Sequence, residues 1–551
     1  MKDIHSMMNH FLFQVARNRY FLLSAFSVLF VYCYSYIEHS VFNNLELNEV
    51  QFGHVRLSAY GIEMTTVFFG LTVFWFSGIK SFILRLLLAF YPILATYIVI
   101  EVFIINLDRV PRISDLQNLM TLADLSPSHA ITLIAMAMLY FLMVFFLLCL
   151  NRKKTFKWLF YWPNCLSLVG LFLLWQFYGY DKYRYIHFNE KSSVALNGRI
   201  SSLIYYTILE NRNFEKIRSR QFSSKCNFDY QFKGDVVDRR NVYLVVLESF
   251  IDPRLLEGFS FDKSPLSPAL QDLFIEKDFT FSFPLSPCYG GRTAQAEFEL
   301  LSGLPALAKV NSIEFNVMQG VAIDSFVRKL SLDGYSTHAL ISTNASYFNS
   351  RQAYRSLGFE RVDFLSKVHG EINVDGDVLL FDGVLFDQIL NASIEKIAKN
   401  QEPFFIYALG IYGHREYYRN LAARPDVVAP LPFNEEVNKI ANQFYYRTEA
   451  IARFLYEIQR TDPDSIVLLI SDHLPAIHKV SNYRHSKYAN LCIFKNANEI
   501  IDLSNMKYHS IPSKIWSILD GTGKIDHSVR DHHEDLYFSL LKQSLDSPHQ
   551  K

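Results

Sequence analysis

Cysteine is scarce in this chain, with six among 551 residues. Cys33, Cys149 and Cys165 fall in apolar runs, which leaves Cys226, Cys288 and Cys492 for the remainder. Three cysteines cannot all pair, so a disulfide-framed scaffold is excluded. Net charge is missing too: 54 Lys+Arg stand against 54 Asp+Glu. No basic footprint points to nucleic acid, and no acidic excess points to a disordered tail. Internal repeats and low-complexity segments are absent as well. What the chain does have is apolar surface, at 50% of residues, with 48 Phe and 32 Tyr. Its mean hydropathy is nevertheless only +0.08. Such an average joins a very apolar part to an ordinary soluble one, and the length predicts two or three domains.

The apolar part is the first third. Runs at 20–37, 57–79, 81–107, 130–150 and 158–178 are each close to the ~20 residues that cross the hydrocarbon core as a helix. Five transmembrane helices are predicted. Glu63, Arg85 and Glu101 sit near run ends, where long side chains reach the headgroup region. The first run lacks a small-residue cleavage site and more runs follow it, so it is read as a span rather than a signal peptide. Lys2, Arg17 and Arg19 precede the first run, Lys80 lies in the second connection, and Arg152, Lys153, Lys154 and Lys157 lie in the fourth. The first and third connections mix charges: Glu38, Glu46, Glu49 and Arg56, then Asp108, Arg109, Arg112 and Asp124. The positive-inside rule places the N-terminus in the cytoplasm, and five spans put everything after Tyr178 outside.

Residues 1–180 are thus read as a transmembrane domain, 181–240 as a linker with a helix-like stretch at 201–209, and 241–540 as a catalytic domain. In that last part, 241–247 (NVYLVVL), 404–409 (FFIYAL) and 465–470 (SIVLLI) are short continuous apolar runs. Such runs predict buried parallel strands. Segments 266–277, 325–332, 351–357 and 435–459 carry helical spacing between them. The alternation predicts an α/β domain, with a mostly parallel central sheet flanked by helices.

Polar residues punctuate the strand ends. Glu248 follows the first, His414 comes soon after the second, and Asp472-His473 follows the third. In open α/β sheets ligands bind outside the carboxyl ends of the strands. A Glu, an Asp and a His there suit Mn²⁺, Mg²⁺ or Zn²⁺. The bland alternatives are a capping Asp beside a surface His, and a salt-bridged loop Glu. In PCYGGRTAQAEFELLSGL, Gly290-Gly291 allow a tight turn and Thr293 opens a helical run. A helix N-terminus favours phosphate, and a Thr hydroxyl there can attack phosphorus beside a metal. Thr is equally a favoured N-cap, so both readings stand. Cys288 through Arg292 lacks the proline of the sulfatase Cys-x-Pro-x-Arg signature.

In this order, strand-Glu248, a Gly-rich turn with Thr293 and Ala-x-Ala-Glu-Phe, His414, and Ser-Asp472-His473, the chain resembles lipoteichoic acid synthase and related phosphoglycerol transferases, including those acting on osmoregulated periplasmic glucans. These belong to the alkaline phosphatase/sulfatase superfamily. The resemblance implies an enzyme of the bacterial cytoplasmic (inner) membrane with an outer catalytic domain. It implies Glu248, Thr293, Asp472 and His473 as ligands of one divalent metal, Mn²⁺ with Zn²⁺ or Mg²⁺ as alternatives, and Thr293 as nucleophile. His414 and Arg351 (FNSRQAYRSLGF) match residues that hold the phosphoglycerol group. The partners implied are a phospholipid donor and a glycan or polymer acceptor. Two departures concern the substrate: the tryptophan before Arg351 is absent, and Ile341-Ser342 stand where His-Gly is expected. Phosphoethanolamine transfer is the close alternative, although those enzymes usually carry several outer disulfides. An inactive membrane assembly or sensor protein that keeps the fold is the third.

Overall fold

The computed structural model describes residues 82–107, 199–219 and 232–545, the last range with short interruptions, besides a few isolated positions. The chain divides into two compact units, Met1–Leu209 and Glu210–Lys551. Four of the five predicted spans fall, but for isolated residues, outside the described residues.

In the first unit, helix α1 (Phe82–Leu107) covers the third apolar run. Among the described residues, which leave out several side chains of α1, no helix is long and apolar enough to cross a membrane. Helix α2 (Arg199–Ser219) extends the predicted stretch 201–209 at both ends. Ile100, Ile104, Val110, Val194, Tyr205 and Tyr206 form one buried cluster. Glu101 is ion-paired with Arg199, whose guanidinium lies 5.7 Å from the Tyr97 ring centroid. A carboxylate among apolar neighbours is costly unless paired, which accounts for the partner.

The second unit contains the predicted sheet. Its strands are β1 (Val242–Leu247), β2 (Ser260–Phe261), β3 (Ser336–Ile341), β4 (Arg361–Phe364), β5 (Phe404–Gly410), β6 (Pro430–Leu431), β7 (Ile466–Ser471), β8 (Cys492–Asn496) and β9 (Glu499–Ile500). Seven of them form one sheet in the order β4-β3-β5-β1-β7-β8-β9, and β2 pairs with β6 apart from it. Strands β4, β3, β5, β1 and β7 run parallel, whereas β8 and β9 add antiparallel partners at one side. The helices are α3 (Pro268–Lys277), α4 (Thr293–Ser302), α5 (Phe326–Leu332), α6 (Ser350–Leu357), α7 (Asp382–Ala398), α8 (Glu435–Thr461), α9 (Ile511–Leu519) and α10 (His533–Leu545).

Every residue of β1, β5 and β7 is buried, because helices cover both faces. Side chains alternate between the faces. Tyr243, Val245 and Leu247 pack with Leu385, Phe386 and Ile389 of α7 and with Phe444, Phe454 and Leu455 of α8. On the other face Phe405 meets Phe326 of α5 and Tyr407 meets Tyr354 of α6, each pair 5.9 Å between centroids. Local signals fix where the helices start. Asn434 caps α8 by accepting from the Val437 N–H, with Glu435 and Glu436 in the first turn, and Ser325 caps α5 through Arg328 N–H.

Candidate active site

Parallel pairing brings the strand ends to one rim. Leu247 lies opposite Gly410 in β5 and opposite Ser471 in β7. The next residues, Glu248 and Asp472, therefore leave neighbouring strands side by side, from positions more than 200 apart in sequence. Gly413 lets a third segment close in, since a Cβ there would lie 2.0 Å from the Glu248 carbonyl oxygen.

Glu248, Asp472 and His473 each offer a ligand atom, and these atoms lie within 4.8 Å of one another. Thr293 joins them through its Oγ1, 2.9 Å from Glu248 Oε2 and 2.7 Å from Asp472 Oδ2. None of the four residues is more than 4% exposed. The structure thus brings together all four residues assigned to the metal site. The N-cap of α4 is Arg292, while Thr293 is the first helical residue. Its hydroxyl faces two carboxylates rather than a backbone N–H.

The proton inventory shows what is missing. A threonine hydroxyl has one hydrogen and cannot donate to two carboxylates at once. The other Asp472 oxygen, Oδ1, accepts from the backbone N–H of Ser249 at 2.8 Å and of His473 at 2.7 Å, while Ser249 Oγ donates to Glu248 Oε1 at 2.9 Å. His473 Nδ1 faces the Leu474 carbonyl at 3.3 Å, a contact that fixes the direction of the ring. Its Nε2 lies 3.1 Å from Asp472 Oδ2 and 3.4 Å from Glu248 Oε1, buried and without a hydrogen-bond partner. An imidazole nitrogen and two carboxyl groups converge at one point, an arrangement that a cation between them would satisfy. The donor set, oxygens with one imidazole whose far nitrogen is anchored on a carbonyl, fits a divalent cation.

Electrostatics agree. Burial and the adjacent Glu248 raise the pKa of Asp472 above the carboxylate range. Burial acts on Glu248 in the same direction, but the His473 and His414 imidazoles and the Ser249 and Thr293 hydroxyls outweigh it and hold Glu248 below that range. His414 is half-buried at the rim, with its ring Nδ1 3.3 Å from the Arg415 carbonyl. Arg351 is exposed in the first turn of α6, which starts at the same rim, and lies over Phe364 at 5.4 Å. No described contact joins it to the four clustered residues.

Burial pushes the Cys288 thiol up to about 12 and leaves it inert, and both Cys288 and Cys492 are free. Cys226 lies outside the described residues. Sequence reasoning missed two supports behind the site. Arg447 Nε donates to Asp382 at 2.6 Å, with both side chains almost fully buried. Glu297, one turn after Thr293, accepts from the Tyr354 and Tyr407 hydroxyls at Oε1 and is raised to about 7 by burial. Neither had a local signal: Arg447 reads as one more charge on a long amphipathic helix, and Tyr354 and Tyr407 lie 57 and 110 residues from Glu297.

Comparison with known proteins places this geometry. The sulfatase family model matches residues 240–515. A putative cyclic beta-1,2-glucan modification protein of Rhizobium meliloti (strain 1021) is 24% identical over 245 residues, 44% of this chain and 36% of the relative. The chain thus spans about a third of the length of that curated relative. Among solved structures, the lipooligosaccharide phosphoethanolamine transferase EptA of Neisseria meningitidis is similar at a TM-score of 0.48 and 14% identity, covering 91% of this chain and 95% of its own. The phosphoglycerol transferase GacH of Streptococcus pyogenes gives 0.43 and 19%, covering 62% and 86%. The lipoteichoic acid synthase LtaP of Listeria monocytogenes gives 0.42 and 15%, covering 57% and 78%. The family match covers half the chain, from just before β1 to α9, and takes in all four clustered side chains; the chain belongs to the sulfatase family.

Proposed function

We propose that this protein is a membrane-anchored transferase that moves a phosphoglycerol group from phosphatidylglycerol to an extracytoplasmic glycan or polymer through a phosphothreonine at Thr293. The observation that carries the reading is the Thr293 hydroxyl, buried against Glu248 and Asp472 with the unpartnered His473 Nε2 beside them. That environment supports a nucleophile over a cap.

Glu248, Thr293, Asp472 and His473 would hold the metal, Mn²⁺ in this reading. When bound, it neutralises the converging negative charge and lowers the pKa of the threonine hydroxyl. Thr293 Oγ1 attacks phosphorus, the Oγ1–P bond forms, and the bond from phosphorus to the diacylglycerol oxygen breaks. The threonine proton leaves on diacylglycerol. An acceptor hydroxyl then attacks the phosphothreonine, and its proton returns to Thr293. His414 and Arg351, both at the rim, contact the headgroup and phosphate in this scheme. Spans in the first third hold the site at the surface where the donor lies, which removes one diffusional search.

Phosphoethanolamine transfer is the second reading, and free Cys288 and Cys492 weigh against its usual disulfides. The full-length enzyme in detergent, incubated with phosphatidylglycerol or phosphatidylethanolamine, separates the two by the mass added to the peptide carrying Thr293. A phosphoglycerol adduct is expected. Phosphoethanolamine would replace the donor assignment, and no adduct from either lipid would sink the covalent scheme. A reporter fused after Tyr178 should be active only outside the cytoplasmic membrane.

A further inference from the structure

Arg292 breaks several local rules at once. Its φ is +71°, a left-handed conformation that costs a side-chain-bearing residue of this type free energy. Gly290 and Gly291 before it also have positive φ, at 70° and 139°, and glycine is the residue such a turn favours. The third position is nevertheless an arginine. It occupies the N-cap of α4, where Ser, Thr, Asp or Asn would accept from the backbone, and it makes no side-chain cap. A cation is also placed at the positive end of a helix dipole, where an anion is favoured. Arg292 Nε is buried without a partner, and among the described residues no carboxylate pairs with the guanidinium, although Glu248 and Asp472 flank the next residue. The unpaired guanidinium and the open helix end are both satisfied by a single event: arrival of an anion between Arg292 and Thr293.

We propose that Arg292 is a substrate-contacting residue whose guanidinium binds non-bridging oxygens of the phosphoryl group that Thr293 attacks, and keeps them after transfer. The inference rests on the phosphothreonine reading. Planar guanidinium donors match two phosphoryl oxygens at once, and hydrogen bonds between charged groups are about twice as strong as neutral ones. The left-handed turn holds the guanidinium stem and the attacking hydroxyl on consecutive residues at the helix mouth.

The test compares metal-loaded, full-length wild type with Arg292→Gly, Arg292→Lys and Arg292→Gln, using inorganic phosphate as probe. Arg292→Gly relieves the backbone strain, so its Tm is expected at or above that of wild type. Its phosphate affinity should nevertheless fall about 10- to 100-fold, with kcat/KM for donor lipid falling in parallel. Added guanidinium ion should restore part of that activity. Arg292→Lys should keep part of both, and Arg292→Gln neither. These two retain the stem and carry the comparison if the glycine variant folds poorly. Wild-type phosphate affinity in the glycine or glutamine variant overturns the proposal, even where activity is lost, because Arg292 would then act only through structure. Wild type that forms phosphothreonine beside unaffected Arg292 variants sinks this inference alone; wild type that neither binds phosphate nor forms the adduct sinks it together with the transfer reading.

Discussion

Gly413→Ala is a small change with a large expected effect, because the space for one methyl group is taken twice. A Cβ at 413 would lie 2.0 Å from the Glu248 carbonyl oxygen and 2.4 Å from Arg447 Nη1, whereas real Cβ contacts essentially never fall under 3.0 Å. About 1 Å must therefore be yielded. The oxygen is backbone, held in the strand-end pairing by Glu248 N–H to Gly410 O at 2.8 Å. The guanidinium is tied to buried Asp382, so it cannot simply swing away. Overpacking of a filled core costs about 1–3 kcal/mol, and the upper end applies where a main chain has to move. That should lower Tm by about 5 °C. The displaced residue carries a carboxylate assigned to the metal in the proposed function, and a misplacement of about 1 Å at a reacting centre costs about 100-fold in rate. Calorimetry, metal analysis and kcat/KM on the purified variant check the three consequences together. A variant with wild-type Tm, metal content and turnover would refute the close approach on which the third segment of the site depends.

Three further outcomes follow from the same geometry. Arg447→Met leaves Asp382 buried and uncompensated and should cost about 3–5 kcal/mol, while Asp382→Leu added to it should recover most of the loss; equal instability of single and double variants in denaturant titrations would argue against the pair. Glu297 is raised from 4.5 to about 7, so the folded state binds a proton that the unfolded state has released, and stability should decline as pH rises from about 4.5 to 7. The full penalty above that window is about 3 kcal/mol, and Glu297→Gln should make the decline between pH 5 and 8 shallower by about that amount while keeping an acceptor for both phenols; Asp472 and Glu314, also raised by burial, carry the rest. Asp472→Ala and Glu248→Ala should lose bound metal, and a chelator that lowers the Tm of wild type should leave theirs unchanged; normal metal stoichiometry in both would overturn the ligand assignment.

The sequence determined the parallel strands and the polar residues that end them. β1, β5 and β7 are buried on both faces, so NVYLVVL, FFIYAL and SIVLLI stand out as unbroken apolar runs, and Glu248 and Asp472-His473 are conspicuous for ending two of them. β3, with a serine, a threonine and a histidine in STHALI, gave no such signal, since a buried His338 is tolerated only because Asp363 on the neighbouring strand accepts it at 2.9 Å. What the tertiary structure decided was every question of proximity. Register, not composition, sets Glu248 beside Asp472. The turn through Gly290 and Gly291, not the residue type, turns Thr293 from a plausible cap into a hydroxyl held between two carboxylates. Burial moves Glu297 and Asp472 to different protonation behaviour from that of the same carboxyls in water. Local patterns record which faces a segment buries; they carry no record of which distant charge will lie across from it, and the chemistry of this site depends on those pairings.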